Sequence, residues 1–95
     1  MRTLLDEVLS GDPQAVRDLY KQYSAKIYNY LLKRLPSPED ADDLTNDVFF
    51  EAIDSLNFLK EEENLQAWLF RIAHNKMVDY YRKKKIKSLL LSQIP

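Results

Sequence analysis

Residues 37–56 read SPEDADDLTNDVFFEAIDSL, and this stretch decides the fold. Ser37 is a natural N-cap, Pro38 suits a first helical position where a missing N–H costs nothing, and Glu39 and Asp40 suit the positive end of a helix dipole. At 100° per residue, Leu44, Val48, Phe49, Ala52, Ile53 and Leu56 share one broad apolar side, which is expected to pack. Asp40, Asp43, Asp47, Glu51 and Asp54 gather on another side, in a sector about 80° wide by the same step, with Asn46 and Phe50 beside it. Like charges at i and i+4 repel, and no lysine or arginine interleaves them. A solvated face is the bland explanation. Phe50 favours a docking surface for a basic partner, because interface centres are rich in aromatics and acids supply complementarity.

The same punctuation recurs upstream. Residues 2–10 form a short apolar-patterned helix that Gly11 ends. Asp12 and Pro13 then repeat the cap-and-proline device. Val16, Leu19, Tyr20, Tyr23, Ile27, Tyr30, Leu31 and Leu35 recur at helical spacing until LPSP stops the run. A connector at about 56–64 leads to a last helix from about Leu65 to Lys85 or a little beyond. One glycine, four prolines and no sustained period-2 alternation predict an all-α fold, a compact bundle of three principal helices plus a short N-terminal one.

Ninety-five residues with 45% hydrophobic side chains suffice for one core and no second. No apolar run reaches the roughly 18 residues that cross a bilayer, and the N-terminus has no secretory pattern. A soluble, cytoplasmic protein is expected, without membrane insertion. Without cysteine, and with His74 as the single histidine, no metal centre or other cofactor is expected. Nor is an enzyme: there is no glycine-rich phosphate loop, and no nucleophile stands with a base.

The net charge of −1 conceals segregation. From Glu39 to Glu63, ten acids stand against Lys60 alone, a net of −9. From Arg71 to Lys87, seven bases stand against Asp79 alone, a net of +6. Two different partners would explain this, and so would two neighbouring helices bridged by ion pairs. On the last helix Leu65, Trp68, Leu69, Ile72 and Ala73 read as core. Phe70, Met77 and Tyr81 form a second side, and a three-helix packing can bury both. Bases for phosphates, amides for base edges and rings for stacking are the chemistry of a nucleic-acid surface, and Arg71, Asn75, Lys76 and Arg82 supply the polar part. RKKKIK also suits the negative end of a helix dipole, and His74 is either a packed ring or a base contact.

Together GDPQAVRDLYKQY, DADDLTNDVFFEA and WLFRIAHNKMVDYYRKKK, in this order and spacing over about residues 8 to 85, resemble region 2 of a bacterial RNA polymerase sigma factor of the extracytoplasmic-function (ECF) type. Asp43, Leu44, Asp47 and Phe49 match the acidic helix, with Asn46 where a glutamine is usual. Trp68, Leu69, Ile72, Ala73, Asn75, Asp79 and Arg82 match the pattern WLxxIAxNxxxDxxR. The resemblance implies docking on the clamp helices of the largest subunit of core RNA polymerase, through Asp43, Leu44, Asn46, Asp47, Phe50, Glu51 and Asp54. It implies recognition and melting of the promoter −10 element, in partly single-stranded DNA, through Phe58, Asn64, Arg71, His74, Asn75, Lys76, Arg82, Lys83 and Lys84. The connector departs most from the family, with Glu61, Glu62 and Glu63 where a displaced strand passes. An anti-sigma protein is a further implied partner. Residues 1–87 would form the region 2 domain and 88–95 the start of an interdomain linker, the promoter-reading region 4 being absent from a fragment. The alternative from another class is a helical interaction module with a basic surface and no promoter selectivity. A helix-turn-helix regulator fits poorly, since no short glycine-containing turn joins two helices.

Overall fold

A computed structural model of the chain describes residues 4–56 and 65–94. Four helices follow one another: α1 Leu4–Leu9, α2 Pro13–Leu32, α3 Pro38–Asp54 and α4 Leu65–Ser92, with no strand among the described residues. Phe58, Asn64 and the acids Glu61 to Glu63 lie outside the described residues.

The helix starts follow local chemistry. Asp12 Oδ1 accepts from the Gln14 N–H at 3.0 Å, and Ser37 Oγ accepts from the Asp40 N–H at 3.1 Å, each ahead of a proline. Gly11 has φ +85°, so a side chain there meets open space but a strained backbone. Past α2, the Leu35 N–H still reaches the Leu31 carbonyl at 2.9 Å, which keeps Leu35 buried before Pro36 ends the run.

Packing joins α2, α3 and α4 around one core. Ile27, Leu31 and Leu35 meet Val48 and Phe49 from α3 and Leu69 and Ile72 from α4. Ala41, Ala52 and Ala73 are fully buried in the same core, small residues that allow the backbones to approach. A smaller cluster of Val8, Ala15, Leu19 and Leu56 docks α1 against the bundle, and Trp68 packs partly buried against both clusters.

Three expectations need correction. Ile53 is 38% exposed and Tyr20 42% exposed, although both fall on apolar sides. Both rim an open groove between α2 and α3 rather than entering the core. Thr45 is buried in their place, its Oγ1 donating to the Ala41 carbonyl at 2.7 Å, which makes a polar side chain tolerable there. Finally, α4 continues through Ser92. No glycine or proline interrupts residues 65–94, so nothing in the chain stops the helix near Lys85. A 28-residue helix is about 42 Å long at 1.5 Å per residue, which accounts for much of the 63 Å long axis of the molecule.

Candidate functional site

Two surfaces meet where α3 packs on α4. On α3, Asp43, Asn46, Asp47, Phe50, Glu51 and Asp54 are exposed, whereas Leu44 is half-buried against the core. Phe49 and Phe50 divide as the helical period requires, Phe49 buried and Phe50 70% exposed. Phe50 rims a groove of about 590 Å³ whose other wall is α2. Tyr20 spans it, its ring edge-on to Phe49 at 5.0 Å and its hydroxyl donating to Asn46 Oδ1 at 3.4 Å. Tyr20 was not legible as a surface residue, because its spacing matches that of the buried positions.

The acidic stripe does not act as a unit. Asp40 is taken by α4, accepting from the Tyr80 hydroxyl at 2.7 Å, and Glu51 pairs with Lys76 at 3.2 Å. The hydrogen bond to Asp40, with desolvation adding, pushes the Tyr80 hydroxyl up to about 12. Asp43, Asp47 and Asp54 remain exposed and form no ion pair with a described residue.

On α4, Arg71, His74, Asn75, Arg82, Lys83 and Lys84 are exposed and Lys76 is half-buried. Arg82 and Lys83 both reach Asp79, at 2.6 and 3.0 Å, and these bonds, Lys83's first, hold its carboxyl below the usual carboxylate range. Lys84 lies 5.8 Å from the centre of the Tyr80 ring. His74 is a surface ring with a partner, its Nδ1 3.3 Å from the Tyr30 hydroxyl. The two candidate surfaces therefore touch: Lys76, expected as a DNA contact, and Glu51, expected as a docking acid, form one ion pair. Of the two explanations of the charge segregation, ion pairing between neighbouring helices accounts for Glu51 and Lys76.

Sequence reasoning missed the contribution of α2 to this face. Lys26 Nζ donates to Gln66 Oε1 at 3.1 Å, Tyr30 meets Phe70 edge-on at 5.4 Å, and Tyr81 donates its hydroxyl to the Arg34 carbonyl. The spacing of Lys26, Tyr30 and Lys33 on one side of α2 was the available signal. No group of three or more metal-ligating side chains occurs among the described residues, and no described helix is long and apolar enough to cross a membrane.

A family model described as Sigma-70 region 2 matches residues 19–86. The chain is similar to RNA polymerase sigma factor YlaC of Bacillus subtilis, 36% identical over 69 residues that make up 73% of this chain and 40% of that protein. It is similar to ECF RNA polymerase sigma factor BldN of Streptomyces coelicolor, 30% identical over 88 residues, 92% of this chain and 33% of the relative. A solved RsbN–BldN complex superposes with a TM-score of 0.78 at 32% identity, covering 85% of this chain and 59% of that one. The chain thus spans well under half the length of these two relatives.

Proposed function

The chain belongs to the Sigma-70 region 2 family, and from that membership we propose that it serves transcription initiation, docking on core RNA polymerase through α3 and engaging the promoter −10 element through α4. Charge separated onto two packed helices carries the proposal: Asp43, Asp47 and Asp54 lie exposed beside Phe50 on α3, while Arg71, Asn75, Arg82, Lys83 and Lys84 lie exposed on α4. The acids and the ring suit basic clamp helices, with Asn46 at the groove rim and Glu51 at the junction.

On the DNA side, the bases hold phosphates, and one or two non-template bases leave the stack to lodge against α4 and the connector that contains Phe58 and Asn64. Unstacking costs a few kcal/mol per step. Stacking on a ring returns on the order of 1–3 kcal/mol per base, so this domain alone barely melts a promoter. Polymerase docking is therefore part of the mechanism, and the chain acts by binding, in the cytoplasm and without a cofactor. Residues 1–87 form the region 2 unit, and α4 continues past it as helix through Ser92. By the same resemblance, an anti-sigma protein is a competing partner.

Two titrations test the reading. Wild type binds isolated clamp helices and Asp47→Lys loses that binding while keeping its helical circular dichroism; no binding by wild type would sink the docking role. In anisotropy titrations with promoter DNA, single strands bind more tightly than duplex. Equal or tighter duplex binding would count against strand capture, and the alternative, a plain interaction module, shows no nucleic-acid selectivity at all.

A further inference from the structure

We propose that the free chain associates with a second copy of itself, the C-terminal end of α4 from each copy lying in the groove between α2 and α3 of the other. The contact does not depend on promoter binding. Three observations point to this partner.

First, α4 runs past everything that packs on it. The Tyr81 hydroxyl bond to the Arg34 carbonyl fixes α4 just beyond the end of α2. From there the helix extends roughly 16 Å further to Ser92, at 1.5 Å per residue, and its residues are exposed throughout. Ile86, Leu89, Leu90, Leu91 and Ile94 are among them, and so many large apolar side chains in one short stretch mark an interaction site. At 100° per residue Ile86, Leu89 and Leu90 make one stripe, with Lys85 along one edge and Lys83 and Lys87 along the other.

Second, the groove complements that stripe. Val16 and Tyr20 of α2 and Phe49, Phe50 and Ile53 of α3 line about 590 Å³ of open space, a volume that suits a cluster of apolar groups. Asp43, Asp47 and Asp54 stand exposed on the α3 side, without an ion pair to a described residue. An amphipathic helix laid along the groove sets its leucines on Phe50 and Ile53 and its lysines beside these acids. An anionic membrane would take up the lysines and leucines of α4 but leave the groove open. A second copy covers both.

Third, one copy cannot make the contact with itself. The groove lies along the first half of α2, Gln14 to Lys21, whereas α4 leaves the bundle past the other end of α2. An unbroken helix does not fold back over that distance. The molecule is 63 Å long and 24 by 21 Å across, so two copies side by side and antiparallel bring each free helix end to the other's groove in one closed two-fold contact. Phe50 is then covered. On the docking reading given above, its two uses exclude each other, and the dimer is a stored form withdrawn from the polymerase.

The test uses the 95-residue chain, which has no cysteine of its own, so introduced thiols report contacts. Under mild oxidation a mixture of Phe50→Cys and Leu90→Cys chains gives a disulfide-linked dimer, and a mixture of Phe50→Cys and Lys26→Cys chains does not. In sedimentation the concentrated wild type has about twice the 11.3 kDa mass of one chain. Leu89→Asp with Leu90→Asp, on the helix end, and Ile53→Asp, in the groove, each sediment as monomers with helical circular dichroism retained. Lys85→Glu with Lys87→Glu weakens association about threefold, the size of exposed ion pairs, and less at high salt. Monomeric wild type at every concentration would overturn the proposal. So would cross-linking of Leu90→Cys with itself in preference to Phe50→Cys, which would mean that the helix ends pair with each other. Neither result bears on polymerase docking, which the clamp-helix titration reads separately.

Discussion

α3 and α4 carry opposite charges and hold them differently. On α3, Asp43, Asp47 and Asp54 have no described counter-charge, so their mutual repulsion stays unrelieved until something basic arrives. On α4, Lys76, Arg82 and Lys83 already have carboxylate partners, from Glu51 and Asp79. An incoming partner adds interactions at these acids on α3 but must exchange them at Lys76, Arg82 and Lys83 on α4. The exposed acids of α3 thus stand open to a cation, whereas Lys76, Arg82 and Lys83 take up an anion only by giving up a carboxylate.

Four experiments break or sharpen that contrast. The largest effect comes from the core that holds the two helices together. Leu69 is fully buried between them, and Leu69→Ala costs roughly 2–5 kcal/mol of folding stability. Denaturant unfolding reads this out, and a loss well under 1 kcal/mol would mean that the helices are not joined there.

Phe50→Ala comes next, and its effect is on binding rather than folding. With its ring mostly exposed, stability stays near wild type, while affinity for the clamp helices drops by about 2 kcal/mol, as for an interface hot spot. Equal affinity would leave the dock to the acids alone.

Tyr80→Phe probes the cross-helix hydrogen bond through pH. The hydroxyl is raised from its ordinary 10.0 to about 12 in the folded chain, so folding favours the protonated form. Its contribution is complete below pH 10 and lost as pH rises through 12. Wild type therefore loses stability over that window by more than Tyr80→Phe does, in parallel thermal melts. Identical alkaline profiles would refute the hydrogen bond to Asp40.

The smallest effect belongs to the ion pair at the junction. A double-mutant cycle of Glu51→Gln and Lys76→Gln gives a coupling of about 0.2–1 kcal/mol, typical of exposed pairs, and it shrinks as salt is added. A coupling that salt leaves unchanged would mean that the pair is shielded from solvent, contrary to its partial exposure.

Much of this was legible along the chain, for local reasons. Asp12 and Ser37 cap the helices that follow them because their side-chain oxygens reach N–H groups two or three residues on. Phe49 and Phe50 separate because adjacent helical positions lie 100° apart. Tyr20 and Ile53 misled for the converse reason. Helical spacing tells which side of a helix they share with core residues, not whether a neighbour reaches far enough to cover them. The end of α4 misled differently, since a basic run resembles a terminus when nothing in it actually breaks a helix.

Read alone, the sequence determined the helical class, the caps, the apolar sides and the two blocks of opposite charge, because each depends on residues a few positions apart. The pairing of charges was decided only by the tertiary structure. Which acid meets which base depends on where two helices cross, and that position is set by the buried packing of residues such as Leu69, Val48 and Phe49. Through that crossing Glu51 and Asp40 went to α4, Asp43 and Asp47 were left to solvent, and Arg34 and Tyr30 of α2 came to border Phe70 and His74.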